Sequence, residues 1–177
     1  MMDGTVLWLA LALAAIVLVL AHARAHFRPT ELEQLVQAPL SAVTPDLLAE
    51  RRPILVEDRM VDPASLARSP LFRWLVVSRG TPQPRSPADG FATTRARFTL
   101  VFYVEDQPSD PSSGPVPNVV LKDSRGADVV VRLAPGRVLV LPPGWRYMPL
   151  SASPRALTVA LDDAFSYFFT GGDARHP

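Results

Sequence analysis

From Val6 to Ala21 the chain reads VLWLALALAAIVLVLA, a run with no charge and no proline. A helix of this composition has no polar face to turn toward water, so every side of it must be covered by lipid or by protein. A membrane-spanning helix needs about 20 apolar residues, within a range of about 17–25, and Gly4 and Thr5 extend the run toward that length. Trp8 stands near one edge, where interfacial aromatics collect. The run predicts one N-terminal transmembrane anchor, with residues 1–28 forming the anchor and its basic flank. A cleaved signal peptide is the rival reading, because Ala21-His22-Ala23 and Ala23-Arg24-Ala25 have the small-residue pattern of cleavage sites. Against it, the leading MMDGT carries Asp3 and no Lys or Arg, and the apolar run is longer than a signal sequence needs. A helix buried in a soluble core is the third reading. Arg24 and Arg28 follow the run and no basic residue precedes it, which predicts a single-pass protein with its C-terminal domain on the cytoplasmic side.

The remainder of the 177-residue chain suits one domain with a normal core. A formal net charge of +1 gives no electrostatic footprint for nucleic acid, so nucleic acid is not expected as a partner. The expected partners are the lipid membrane and an unidentified protein. Cysteine is absent, which rules out disulfides and thiolate metal sites. Asn118 is followed by Val119-Val120 and forms no N-glycosylation sequon.

Residues 29–50 read as a helical stalk. Leu32, Leu35 and Val36 share one helical face, and Thr44-Pro45 reads as an N-cap with proline at the first helical position. Residues 51–169 read as the β-rich domain, and 170–177 as a disordered tail. Ile54–Val56 is a short strand, and Asp62-Pro63 caps a helix near Ala64–Arg68. Leu71–Ser78 reads as a strand. Phe98–Glu105 is the strongest strand and, being apolar almost throughout, should be central. Val116–Lys122, Asp128–Leu133, Arg137–Leu141 and Ala156–Leu161 complete the set. Two polar, proline-rich stretches, Arg79–Gly90 and Gln107–Pro117, read as surface loops. The predicted class is mainly β, a sandwich or small barrel with short helices on its N-terminal side.

The segment Pro135–Tyr147, PGRVLVLPPGWRY, resembles the late strand and turn of cupin-like and Jumonji-type double-stranded β-helix domains. Pro135-Gly136 matches the turn of that pattern, Val138–Leu141 the strand, and Pro142, Pro143, Gly144 and Trp145 the corner after it. Arg52-Pro53-Ile54-Leu55-Val56 is similar to the strand that opens such domains. The resemblance implies a double-stranded β-helix. It also implies that the position of the distal iron-ligating histidine is held here by Tyr147. No histidine stands between His26 and His176, whereas a ferrous oxygenase site needs two imidazoles and a carboxylate. No iron, other metal or cofactor is therefore expected. The layout of a span followed by a compact domain also resembles small uncharacterised membrane proteins of large DNA viruses, which implies a viral or host membrane location.

Chemistry-bearing residues are sparse. No serine sits in a Gly-x-Ser-x-Gly elbow, and His176 lies in a glycine-rich tail, so a nucleophilic triad is not expected. Glu57-Asp58, Glu105-Asp106 and Asp162-Asp163 each follow an apolar strand and read first as solvated strand ends. Neighbours along a strand point to opposite faces, which weakens any paired-acid role. Arginines at 73, 95, 97, 132, 137 and 146 lie on or beside strands. Most fit a role as surface charge, and a few fit an anion or headgroup site. The residues singled out for ligand binding are Arg97, Arg132 and Tyr147. Trp74 and Trp145 read as packing residues. Phe165, Tyr167, Phe168 and Phe169 read as core or as a patch that dips into the membrane interface. The leading expectation is a non-enzymatic, membrane-anchored structural or interaction module. A tethered small-ligand or headgroup binder and a divergent enzyme using carboxylates and arginine are the alternatives. The character of the domain interior separates them: apolar packing favours the first, a polar cavity with Arg and Tyr147 the second, converging acids the third.

Overall fold

The computed structural model describes residues 4–26, 28, 35–58, 61–73, 76–104, 117–123, 125–150 and 155–169. The apolar run forms one helix, α1 (Gly4–His26), long and apolar enough to cross a membrane. No part of its most apolar stretch is buried inside the protein. It is therefore not a core helix of this domain.

The domain is sheet-rich, with eleven strands among the described residues, arranged in two sheets that do not close into a barrel. The first sheet has the order β1-β2-β9-β6-β11-β3, formed by β1 (Val36–Ala38), β2 (Ile54–Val56), β9 (Val138–Leu141), β6 (Phe98–Val104), β11 (Arg155–Asp162) and β3 (Ser78–Arg79); β4 (Gln83–Arg85) also pairs with β11. The second has the order β5-β10-β7-β8, formed by β5 (Ala92–Thr93), β10 (Arg146–Pro149), β7 (Asn118–Lys122) and β8 (Asp128–Arg132).

Burial explains the two strand patterns. The first sheet is covered on both faces, so its central strands are apolar at successive positions: β9 is buried throughout, and β6 is buried except at Val104. One face carries Ile54, Val56, Phe98, Leu100, Phe102, Val138, Val140 and Leu161. It packs against Leu48 of α2 (Pro45–Ala49), Leu66 of α3 (Pro63–Arg68) and Phe72 of α4 (Pro70–Arg73). The other face carries Leu55, Val101, Tyr103, Leu139, Leu141 and Ala156. It meets Val119, Leu121, Val131, Trp145 and Tyr147 of the second sheet. The second sheet has only one covered face, and β7 and β8 alternate accordingly. Leu100 is fully buried in the first layer; truncation of such a residue costs about 2–5 kcal/mol.

Several elements differ from the sequence reading. Leu35 and Val36 do not continue a helical stalk. Val36–Ala38 pairs in parallel with Ile54–Val56, because joining a sheet satisfies backbone groups that a short solvent-exposed helix leaves to water. Among the described residues of Leu71–Ser78, only Ser78 is in a strand. Pro70 opens the short helix α4, which places Phe72 in the core. The stretch Arg79–Gly90 is more ordered than a surface loop. Gln83–Arg85 pairs with β11, and Ser86 and Asp89 form a reciprocal capping box around Pro87–Asp89. The corner after Trp145 continues as β10, which pairs with both β5 and β7. Trp74, Gln107–Val116 and 170–177 lie outside the described residues.

The junction between α1 and the domain is specific. Arg51, in a left-handed conformation at φ 59° that is uncommon for a side-chain-bearing residue, donates to the backbone oxygens of Ala25 and His26. It thereby serves the last carbonyls of α1, where a cation is also favoured by the helix dipole. Burial first, then the charges of Arg97 and Arg28, holds the Arg51 guanidinium below its ordinary value. His26 is 1% exposed, and Phe165 of α5 (Ala164–Phe169) packs on the rings of His22 and His26.

Candidate functional site between the sheets

The layer between the sheets changes character along its length. On β6 the side chains facing the second sheet run Tyr103, Val101, Thr99. On β11 they run Ala156, Thr158, Ala160, Asp162. Antiparallel pairing sets Ala160 beside Thr99 and Thr158 beside Val101. At the Ala156–Tyr103 end the layer is closed by apolar packing. At the Asp162 end it opens into a cavity of about 110 Å³. Its walls are Thr81, Gln83 and Arg85 from the β4 segment, Thr93 of β5 with Thr94, Arg95 and Ala96 after it, Tyr147 of β10, and Thr99, Thr158, Ala160 and Asp162.

The walls are held by their own hydrogen bonds. Thr158 Oγ1 donates to the Gln83 backbone oxygen at 3.3 Å, tying β4 to the cavity floor. Gln83 Nε2 donates to Thr81 Oγ1 at 2.9 Å. Thr94 is locked into the corner: its hydroxyl donates to the Pro142 oxygen at 2.7 Å and accepts from the Trp145 amide at 2.9 Å. The lining residues thus include five threonines, a tyrosine, a glutamine, two arginines and one aspartate. Two cationic groups against one carboxyl favour an anion, and the fork of an arginine suits a carboxylate or phosphate.

Of the residues singled out from the sequence, Tyr147 lines this cavity, whereas Arg97 and Arg132 do not. Arg97 sits at the α1 junction, its Nε 3.8 Å from Asp163 Oδ2 and its guanidinium 5.6 Å from the Phe98 ring centroid. Arg132 is exposed on β8, opposite Asn118. The sequence gives no signal for Arg85 and Thr81, which lie in a stretch that reads as loop, for Thr99 and Thr158, which read as ordinary strand residues, or for Arg95, one of many strand-flanking arginines. The Asp162-Asp163 pair splits as strand geometry requires: Asp162 lines the cavity, and Asp163 lies near His26. Glu57 and Asp58 are exposed. Tyr147 is 3% exposed, and the lining contains no histidine, so this cavity lacks the imidazoles of an oxygenase iron site. Among the described residues, the group that gathers metal-ligand atoms is elsewhere: His22, His26 and Asp163 at the α1 junction.

No family model matches the chain, and no curated protein does. Among solved structures the chain is similar to a prolyl-4-hydroxylase from Pseudomonas putida, a protein of the cupin-like, double-stranded β-helix class. The identity is 16% and the TM-score 0.28, over 86% of this chain and 78% of that one. A likeness at that score assigns this chain neither a fold family nor an activity.

Proposed function

We propose that the chain is a membrane-tethered domain that binds a small anionic ligand in the cavity between its sheets. The observation that supports this reading is the polar lining itself. Polar residues, among them Arg85, Arg95 and Asp162, gather at one end of an otherwise apolar interlayer. Small-ligand sites place a few convergent polar groups in a concavity of this kind. A cavity of about 110 Å³ suits an anion the size of phosphate or a short carboxylate, or the exposed part of a lipid headgroup. In this reading α1 is the anchor that keeps the domain at a bilayer, its span uncharged from Val6 to Ala21.

Titration calorimetry of the full chain in detergent micelles with inorganic phosphate tests the reading. Ligand efficiency does not exceed about −1.5 kcal/mol per non-hydrogen atom, so an anion of about five atoms reaches micromolar affinity at best. Saturable binding, weakened about tenfold or more by Arg95→Ala, is the expected result. No saturable heat with phosphate, acetate or short dicarboxylates would return the reading to an interaction module. That second reading draws on the exposed Tyr167 and Phe168 of α5, which lie on the element that contacts α1.

A further inference from the structure

The junction of α1 with the domain holds a second cluster, separate from the cavity. His22 and His26 are four residues apart on one helix, so both rings leave the same face. Asp163 follows β11 and precedes α5, and brings a carboxylate to that face. One ligand atom from each of the three lies within 4.8 Å of the others.

We propose that His22, His26 and Asp163 bind one divalent transition-metal ion of the Zn(II) type, which fastens the end of the membrane helix to the domain. The chemistry of each donor supports this. His26 Nε2 lies 3.2 Å from the backbone oxygen of Arg95. A carbonyl only accepts, so Nε2 carries the hydrogen and Nδ1 is directed to the cluster side, 3.9 Å from Asp163 Oδ2. A metal-bound imidazole is held in this way, one nitrogen on the ion and the other N–H on a backbone carbonyl. Asp163 is divided similarly. Its Oδ1 accepts from the Ser166 amide at 2.7 Å, which caps α5, and its Oδ2 is the atom nearest His26.

Metal–ligand bonds of about 2.0–2.2 Å in a tetrahedral shell set ligand atoms roughly 3.3–3.5 Å apart. The 3.9 Å between His26 and Asp163 then needs a shift of a few tenths of an ångström, and a pair at the 4.8 Å limit of the cluster needs one of just over an ångström, within reach of side-chain rotation. Two imidazoles and a carboxylate select borderline ions over magnesium or calcium, which prefer oxygen shells. Three protein donors leave one position for water. Arg97 Nε is 3.8 Å from the same Oδ2 and competes with the ion, as does the nearby charge of Arg51. The site is therefore expected to bind at micromolar strength, below that of a closed four-ligand zinc site. The alternative is a protonated His26 paired with Asp163, which has no use for the ring of His22.

The test uses the full chain in detergent micelles, titrated with Zn(II) against a chromophoric chelator, with Co(II) absorption reporting coordination number. His22 is exposed, so His22→Ala leaves the core intact and costs only its ring contact with Phe165. Asp163→Asn keeps an acceptor for the Ser166 amide. One equivalent of Zn(II), a four-coordinate Co(II) spectrum, and a loss of about thirtyfold or more in affinity for each variant are expected, given that even an outer-shell partner is worth about 10–100-fold. His176→Ala should change nothing. Absence of saturable binding, affinity unmoved by His22→Ala and Asp163→Asn, or affinity lost in His176→Ala would each overturn the proposal.

Discussion

Thr94 is bound twice to Trp145 and once to the glycine before it. The Thr94 amide donates to the Trp145 oxygen at 2.7 Å, the Trp145 amide donates to the Thr94 hydroxyl at 2.9 Å, and the Gly144 amide donates to the Thr94 oxygen at 2.8 Å beside them. This clasp closes the corner between β9 and β10 against the chain that follows β5. It fixes the cavity wall that carries Arg95 and Tyr147. Both residues are buried, so water cannot replace the hydroxyl.

Thr94→Val is therefore expected to strand the Trp145 amide and the Pro142 carbonyl, which the hydroxyl serves. The loss should be about 1–3 kcal/mol, read as a lower midpoint in urea. Thr94→Ser should retain most of the stability. Equal stability for Thr94→Val and the unaltered chain would show that the corner relaxes to satisfy those groups otherwise.

Asp62 caps α3. Its carboxyl is held below the ordinary 3.8 first by the Ser65 hydroxyl, then by the amides of Ala64 and Ser65. A depressed folded value means that the contribution is fully present above the unfolded value of about 3.8 and disappears as pH falls through the folded one. Stability of the unaltered chain should decline on acidification below about pH 4. Asp62→Asn, which keeps the cap without titrating, should show a weaker decline. Identical acid profiles would remove Asp62 from the pH dependence.

The chain should remain in the membrane pellet after alkaline carbonate washing, since α1 is uncharged from Val6 to Ala21. Deletion through Ala21, which spares His22 and His26, should move the domain to the supernatant. A mature chain beginning near Arg24 or His26 would establish cleavage instead. With Arg24 and Arg28 flanking the span on one side, a C-terminal tag should be digested by protease in inside-out vesicles and protected in right-side-out ones.

The cavity is expected to bind no ferrous iron, with or without 2-oxoglutarate. Tyr147 stands in its wall, and no histidine lines it. Calorimetry on the His22→Ala chain isolates the cavity from the junction cluster. Stoichiometric binding tighter than about micromolar, abolished by Tyr147→Phe, would reveal an unconventional metal site.

Much of the fold was legible where local chemistry decides it. Thr44-Pro45 and Asp62-Pro63 both open helices through side-chain caps, and the nearly continuous apolar character of Phe98–Val104 marks a strand buried on both faces. The errors fall where partners distant in sequence decide. Val36–Ala38 is a strand only because Ile54–Val56 lies beside it. Gln83–Arg85 is ordered only because Ala156–Thr158 pairs with it. The candidate sites were less legible for the same reason. Tyr147 was found through its position after Trp145, but threonines carry no signal until two sheets converge on them. His22 and His26 follow the apolar run directly, and nothing in a linear reading brings Asp163 to them.

The position of β11 in the chain also sets an order of events. It follows every other strand in sequence, yet it joins β6, β3 and β4 and supplies the cavity floor. The nascent domain therefore has an open seam beside β6 until Arg155–Asp162 has left the ribosome. Completion of the sheet is thus a late step, and the β6 edge stays unpaired on that side in the interval.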